Sequence, residues 1–102
     1  MPEVNECLEK RAPVVALETT VVTHGLPYPD NIRLADEMEA TVRQFKATPA
    51  TIGFLNGKLH VGMSREDLER LATSAHSRKI SKRDFAPAAV GQWDGGTTVS
   101  GT

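Results

Sequence analysis

The 102-residue chain has a single cysteine, almost no excess charge and no long apolar run. Each scarcity closes off a class of protein. One cysteine, Cys7, excludes an internal disulfide framework and fits a reducing compartment. With 12 Lys and Arg against 13 Asp and Glu, the net charge is -1. That balance gives no electrostatic reason to expect nucleic acid or an anionic membrane as a partner. The longest apolar stretch falls far short of the roughly 20 residues that cross a bilayer. The N-terminus M-P-E-V-N-E-C-L-E-K is acidic and lacks the basic and apolar regions of a secretory signal. Repeats, low-complexity tracts and linkers are missing, as are G-x-x-x-x-G-K-[ST], H-E-x-x-H and G-x-S-x-G. What is there is ordinary for a globular domain, 39% hydrophobic and 25% charged. The expectation is one small cytoplasmic domain spanning 1–102.

Residues 4–11 read as a short amphipathic helix ended by Pro13. Val14 to Val22 is rich in β-branched residues and predicts a strand entering a loop and covered on both faces, the pattern of a parallel sheet between helices. A loop follows from His24 to Pro29, and Asp30 or Asn31 is the expected cap of the next helix. On that helix Leu34, Met38, Val42 and Phe45 fall on one face. Thr51 to Leu55 predicts a strand, Asn56-Gly57 a tight hairpin and Lys58 to Val61 its return. Ser64-Arg65-Glu66-Asp67 opens a helix running to about Ser74. Arg78 to Ser81 reads as a short strand. Lys82 to Val90 reads as a helix interrupted near Pro87. Gly95-Gly96-Thr97-Thr98 reads as a turn. The fold class implied is α/β, a partly parallel sheet layered with helices. Because a Gly-Gly-Thr-Thr turn leads into further structure, the chain is expected to be a fragment of a larger α/β/α domain.

Few residues suggest chemistry. Glu18 is a carboxylate within an apolar strand. Ordinarily such a group is paired or sits where the strand meets water. The functional reading places it at the C-terminal end of a parallel strand, where α/β proteins hold ligands and where a dry setting lets a carboxyl trade protons. Lys79, with Arg78, Lys82 and Arg83, forms either a solvated basic patch or an anion site near a helix start. Gly95 and Gly96 allow close backbone approach to a ligand, although a plain turn is the simpler reading. His24, His60 and His76 lack metal-ligand spacing and read as surface or packing histidines, with the alternative that His24, in the loop after Glu18, faces a pocket; Cys7 is expected to be inert.

The motifs together resemble a known family. A-L-E-T-T-V-V-T-H-G-L-P-Y-P-D-N (16–31), A-T-P-A-T-I-G-F-L-N-G-K-L-H-V-G-M-S (47–64), K-I-S-K-R-D (79–84) and G-G-T-T-V-S-G-T (95–102) resemble, in order, blocks of the pseudouridine-5'-phosphate glycosidases, also called the indigoidine synthase A family. The resemblance implies reversible cleavage of the C–C glycosidic bond of pseudouridine 5'-phosphate to uracil and ribose 5-phosphate. It implies a lysine that attacks C1' of the opened sugar, a glutamate that moves the proton, an assisting manganese ion and a homotrimer. By position Glu18 matches the proton donor, and Lys79 and Val99 match substrate-contacting residues. Two departures are mild: Lys82-Arg83-Asp84 stands for Arg-Arg-Asp, and Glu18-Thr19-Thr20 for Glu-Ser-Thr. The family's nucleophilic lysine and metal-binding aspartate fall after position 102, so no residue here is expected to bind the metal, and the fragment alone is expected to be inactive. The rival expectations are a non-catalytic phosphate-binding module and a truncated product without function.

Overall fold

The computed structural model describes residues 2–102. Its elements are α1 (Pro2–Glu9), β1 (Val14–Leu17), a π-helical turn (Val21–Gly25), α2 (Asp30–Gln44), β2 (Thr48–Leu55), β3 (Lys58–Val61), α3 (Arg65–Thr73), β4 (Arg78–Ile80), a 3-10 turn (Lys82–Asp84), α4 (Phe85–Gly91) and β5 (Gly95–Thr97). The strands form one sheet in the order β1-β2-β5-β4, with β3 also on β2. β1 runs parallel to β2, and β4 runs parallel to β5. β2 is antiparallel to both β3 and β5. The expected partly parallel α/β architecture is therefore present, as two parallel pairs pointed against each other.

β2 is the central strand and is buried along nearly its whole length. Side chains alternate along a strand, so β2 serves two layers. Leu55 packs with Val22, Ile32, Ala35, Met63, Leu68 and Leu71, which come from the π turn, α2 and the α3 region. Phe54 faces the other way and packs with Ile80 and Ala88, with Phe85 and Trp93 against them. On this second face Cys7 of α1 reaches Thr48, Sγ to Oγ1 at 3.1 Å. Helices thus cover both faces of one sheet.

Local chemistry sets several boundaries as expected. Asn56 and Gly57 both have positive φ, 50° and 74°, as a two-residue hairpin of this hand requires. A Cβ on Gly57 would lie 2.8 Å from the Ala89 carbonyl oxygen, so no other residue fits there. Ser64 caps α3 by accepting from the Asp67 N–H at 3.1 Å.

Other expectations are corrected. α1 begins and ends two residues earlier than 4–11, because Arg11 turns to positive φ (54°) before Pro13. β1 stops at Leu17 instead of Val22. The Thr19 N–H is taken by the Thr97 carbonyl, and the Val22 and Thr23 N–H groups then turn back onto the Thr19 carbonyl. Tertiary pairing overrides the β-branched run. Nor is β1 covered on both faces: it pairs with β2 alone, and Val15 is 40% exposed. The continuous burial expected of β1 belongs to β2.

Pro29, and neither Asp30 nor Asn31, occupies the cap of α2. Asn31 instead donates its amide to the carbonyls of Val22 and Ala72, both at 2.9 Å, tying α2 to the π turn and α3. The buried residues of α2 are Asn31, Ile32 and Ala35. Leu34, Met38 and Val42 lie half-buried at the rim, and Phe45 is 77% exposed. The break before α4 falls at Asp84–Phe85 and not at Pro87, where Ser81 and Asp84 cap each other reciprocally. Pro87 sits in the first turn of α4, where no N–H is required. Gly95–Thr97 is a fully buried strand, not a turn.

Glu3 clamps α1 to α2 through two bonds from Arg43, at 2.7 and 2.9 Å. The Arg43 guanidinium holds the Glu3 carboxyl below its ordinary range by hydrogen bonding. A lowered carboxyl contributes stability above its unfolded value and loses it as pH falls through the folded one. Glu3→Gln is therefore expected to be slightly less stable than the parent near pH 6. The gap should close as pH drops below about 4. Urea unfolding across that range checks it; a gap unchanged down to pH 2 would contradict the assignment.

Candidate functional site

The opposed parallel pairs bring three strand ends to one place. β1 climbs β2 as far as Leu17 opposite Thr51. β5 descends it from Phe54 to Gly53. Between them lies Ile52, whose carbonyl accepts the hydroxyls of Thr19 (2.6 Å) and Thr97 (2.9 Å). The same two residues bond each other directly. The Thr19 N–H donates to the Thr97 carbonyl at 3.1 Å, and the Thr97 N–H donates to Thr19 Oγ1 at 2.8 Å. Both threonines are fully buried. β4 runs beside β5 and ends at the same level, with Ile80 opposite Thr97.

Each sequence-predicted residue sits on one of these ends. Glu18 follows β1 and immediately precedes Thr19. It is half-buried, and its Oε2 accepts the Thr20 N–H at 2.9 Å. A narrow apolar cleft runs beside it, lined by Leu17, Val22, Ala35, Met38 and Thr51. Glu18 thus stands just past the C-terminal end of a parallel strand, as the functional reading expected, although that strand is shorter than Val14 to Val22.

Lys79 lies on the edge strand β4, exposed and paired in register with Gly96. Paired residues of neighbouring strands point to the same face. Gly96 faces the π turn: a Cβ there would lie 2.6 Å from the Thr19 carbonyl oxygen and 2.5 Å from Thr23 Oγ1. Lys79 thus projects from the face that carries Thr19 and the π turn. Among the described residues Lys79, Lys82 and Arg83 form no ion pair. Arg78 leaves the cluster, stacking 4.1 Å over the Trp93 ring.

Val99 is 82% exposed in the turn after β5. That turn is rigidly tied. Thr98 donates its N–H to the Ile80 carbonyl (3.0 Å) and its hydroxyl to Ser81 (3.1 Å), and accepts from the Gly101 N–H (3.2 Å). Ser81, Thr98 and Ser100 gather their hydroxyls there, an arrangement suited to an anion.

Of the histidines, His24 touches this arrangement through Thr23, and His60 and His76 stay outside it. His24 is exposed and bonds Thr23 Oγ1 at 2.6 Å, His60 approaches Asp67 at 3.6 Å, and His76 is exposed. Thr19 and Thr97, which join the ends, were missed from the sequence, whereas Gly96 was read there as a place of close approach, to a ligand and not to the Thr19 carbonyl that it meets. A signal existed. Glycine within a β-branched segment marks close backbone approach, and Gly96 is that case.

Residues 3–102 match the indigoidine synthase A like protein family. The chain belongs to that family. A pseudouridine-5'-phosphate glycosidase of Salinispora tropica is 53% identical over 100 residues, covering 98% of this chain and 31% of the relative. Among solved structures, a prealnumycin C-glycosynthase in complex with ribulose 5-phosphate superposes over the whole chain with TM-score 0.86 and 40% identity, covering 32% of that protein. An indigoidine synthase A-like protein of Thermotoga maritima gives TM-score 0.79 and 37% identity over 88% of this chain and 30% of its own. The chain therefore spans about a third of the length of the relatives it matches, and this family third contains the junction of β1, β4 and β5.

Gly96→Ala tests that junction. Forcing a methyl against the Thr19 carbonyl is expected to destabilise the chain by about 1–3 kcal/mol. Ser100→Ala, on the exposed turn, should stay within about 0.5 kcal/mol. Urea unfolding measures both; equal stability of the two variants would show that the close approach is not real.

Proposed function

We propose that this chain supplies the proton donor and the sugar-phosphate contacts of a pseudouridine-5'-phosphate glycosidase. The carrying observation is the meeting of the ends that bear Glu18, Lys79 and Val99. The relatives' name and the pentose phosphate held by the prealnumycin C-glycosynthase support the substrate class.

In this reading the Lys79 ammonium and the hydroxyl-rich Thr98–Gly101 turn hold the phosphate. Val99, exposed beside them, packs on the bound sugar. Breaking the bond between C1' and uracil leaves an electron pair on the base carbon, which needs a proton. An amine on C1' donates its lone pair to the sugar carbon as that bond breaks, so a C–N double bond replaces the lost C–C bond. Glu18, at the mouth of an apolar cleft, carries the proton to the departing base or the sugar oxygen. The nucleophilic lysine belongs to the portion of a family-length enzyme outside the matched third. Members of such a catalytic unit do not act additively, so this chain alone binds without turnover. Manganese would assist near the phosphate. Among the described residues no group of three or more His, Cys, Asp or Glu is placed to hold a metal ion, and no step here runs through one.

The assembled enzyme is taken to be a homotrimer acting on a small soluble substrate in the cytoplasm, without nucleic acid or membrane partners. Among the described residues no helix is long and apolar enough to cross a membrane. The exposed Phe45, Val15 and Leu8 offer apolar surface for the rest of a family-length chain or for neighbouring subunits to cover.

The 102 residues alone are expected to release no uracil from pseudouridine 5'-phosphate; clear turnover would overturn the placement of the nucleophile. A chimera in which residues 1–102 replace the matching third of the Salinispora relative should release uracil. In it, Glu18→Gln should lower kcat by a factor of about 100 or more, with KM little changed. A folded but inactive chimera, or near-parental kcat in Glu18→Gln, would refute the reading.

A further inference from the structure

Thr20 carries an unused hydroxyl. Among the described residues its Oγ1 is the one buried side-chain nitrogen or oxygen without a hydrogen-bond partner. Its neighbours are fully engaged. Thr19 Oγ1 donates to the Ile52 carbonyl and accepts the Thr97 N–H. Thr23 Oγ1 contacts His24 Nδ1 and the Thr19 and Thr20 carbonyls. A hydroxyl shut away from water and left unpaired is unfavourable, and valine would fill the same volume without that penalty. The position also matters. The Thr20 N–H is held by the Glu18 carboxylate at 2.9 Å. Thr20 then leads into a π-helical turn, a rare conformation that often marks functional sites.

We propose that Thr20 is a further binding residue of this site, its hydroxyl completing a hydrogen bond to the pentose of the bound sugar phosphate. The inference rests on the function proposed above. The pentose is assigned because Lys79 and the Thr98 turn account for the phosphate, whereas Thr20 is fixed to Glu18, where the sugar's reacting end would lie. A C-glycosynthase bound to ribulose 5-phosphate and a glycosidase of pseudouridine 5'-phosphate share that pentose phosphate, and a pentose offers hydroxyls that both donate and accept.

The test is a titration of the 102-residue chain with ribose 5-phosphate, and separately with inorganic phosphate, followed by amide NMR shifts. Ribose 5-phosphate is expected to move the Thr20, Lys79 and Val99 signals. Thr20→Val should weaken its binding about tenfold, the worth of one hydrogen bond, and leave inorganic phosphate unaffected. Thr20→Ser should restore binding to within about twofold. Should the valine variant fail to fold, Thr20→Ala is read in its place. Unchanged affinity for ribose 5-phosphate in the valine or alanine variant overturns the inference. Equal weakening of both ligands, or no rescue by serine, does the same. If Lys79→Ala still weakens both ligands in such a case, the site reading stands and only Thr20 falls. If ribose 5-phosphate leaves Lys79 and Val99 unmoved, the proposed function falls with it.

Discussion

One backbone oxygen organises the site-bearing end of this chain. The Ile52 carbonyl lies where β1 and β5 approach along β2 from opposite directions, and it receives two threonine hydroxyls. Strands arriving head-on cannot continue each other's ladder, so backbone groups at the junction would be left unpaired in a buried place. Thr19 and Thr97 solve this together, each using side chain and main chain, so that the gap between the strands becomes a closed set of hydrogen bonds. The proposed site gathers around these two threonines: Glu18 before Thr19, Thr20 after it, Thr98 and Val99 after Thr97, and Lys79 on β4 opposite Gly96.

The close approach at this junction also explains residue types that otherwise look arbitrary. Gly96 admits the Thr19 carbonyl and the Thr23 hydroxyl where any side chain would stand. Threonine suits position 19 because it supplies both a donor and an acceptor while its methyl group fills buried space. Serine at that position would also keep the hydroxyl on which the junction depends.

Much of the fold was legible in the sequence. The Asn56-Gly57 hairpin, the Ser64 cap and the strand at Arg78–Ile80 are set by local chemistry, and local chemistry can be read residue by residue. The end of β1 and the nature of Gly95–Thr97 could not be read that way. Val14 to Val22 is rich in strand-forming residues on both sides of Glu18, and only the distant β5, 78 positions away in the Thr19–Thr97 bond, decides where the strand gives way to a turn. The burial of β1 was misread for a related reason. A continuous apolar run describes both a central strand and an edge strand, and pairing alone separates β2 from β1. Glu18 and Lys79 stood out by charge and place in the chain and took their roles from motif resemblance, whereas Val99 came from the resemblance alone. Their common ground appears only when the opposed strand pairs are assembled.

Amide hydrogen exchange at Thr19 and Thr97 tests this account most directly. If the two residues close the junction as described, both amides exchange only through global unfolding, with protection matching that of the β2 amides. Exchange of either at the rate of the exposed Val99 turn would mean that the junction opens freely, and that the strand ends bearing Glu18 and Lys79 are not held together.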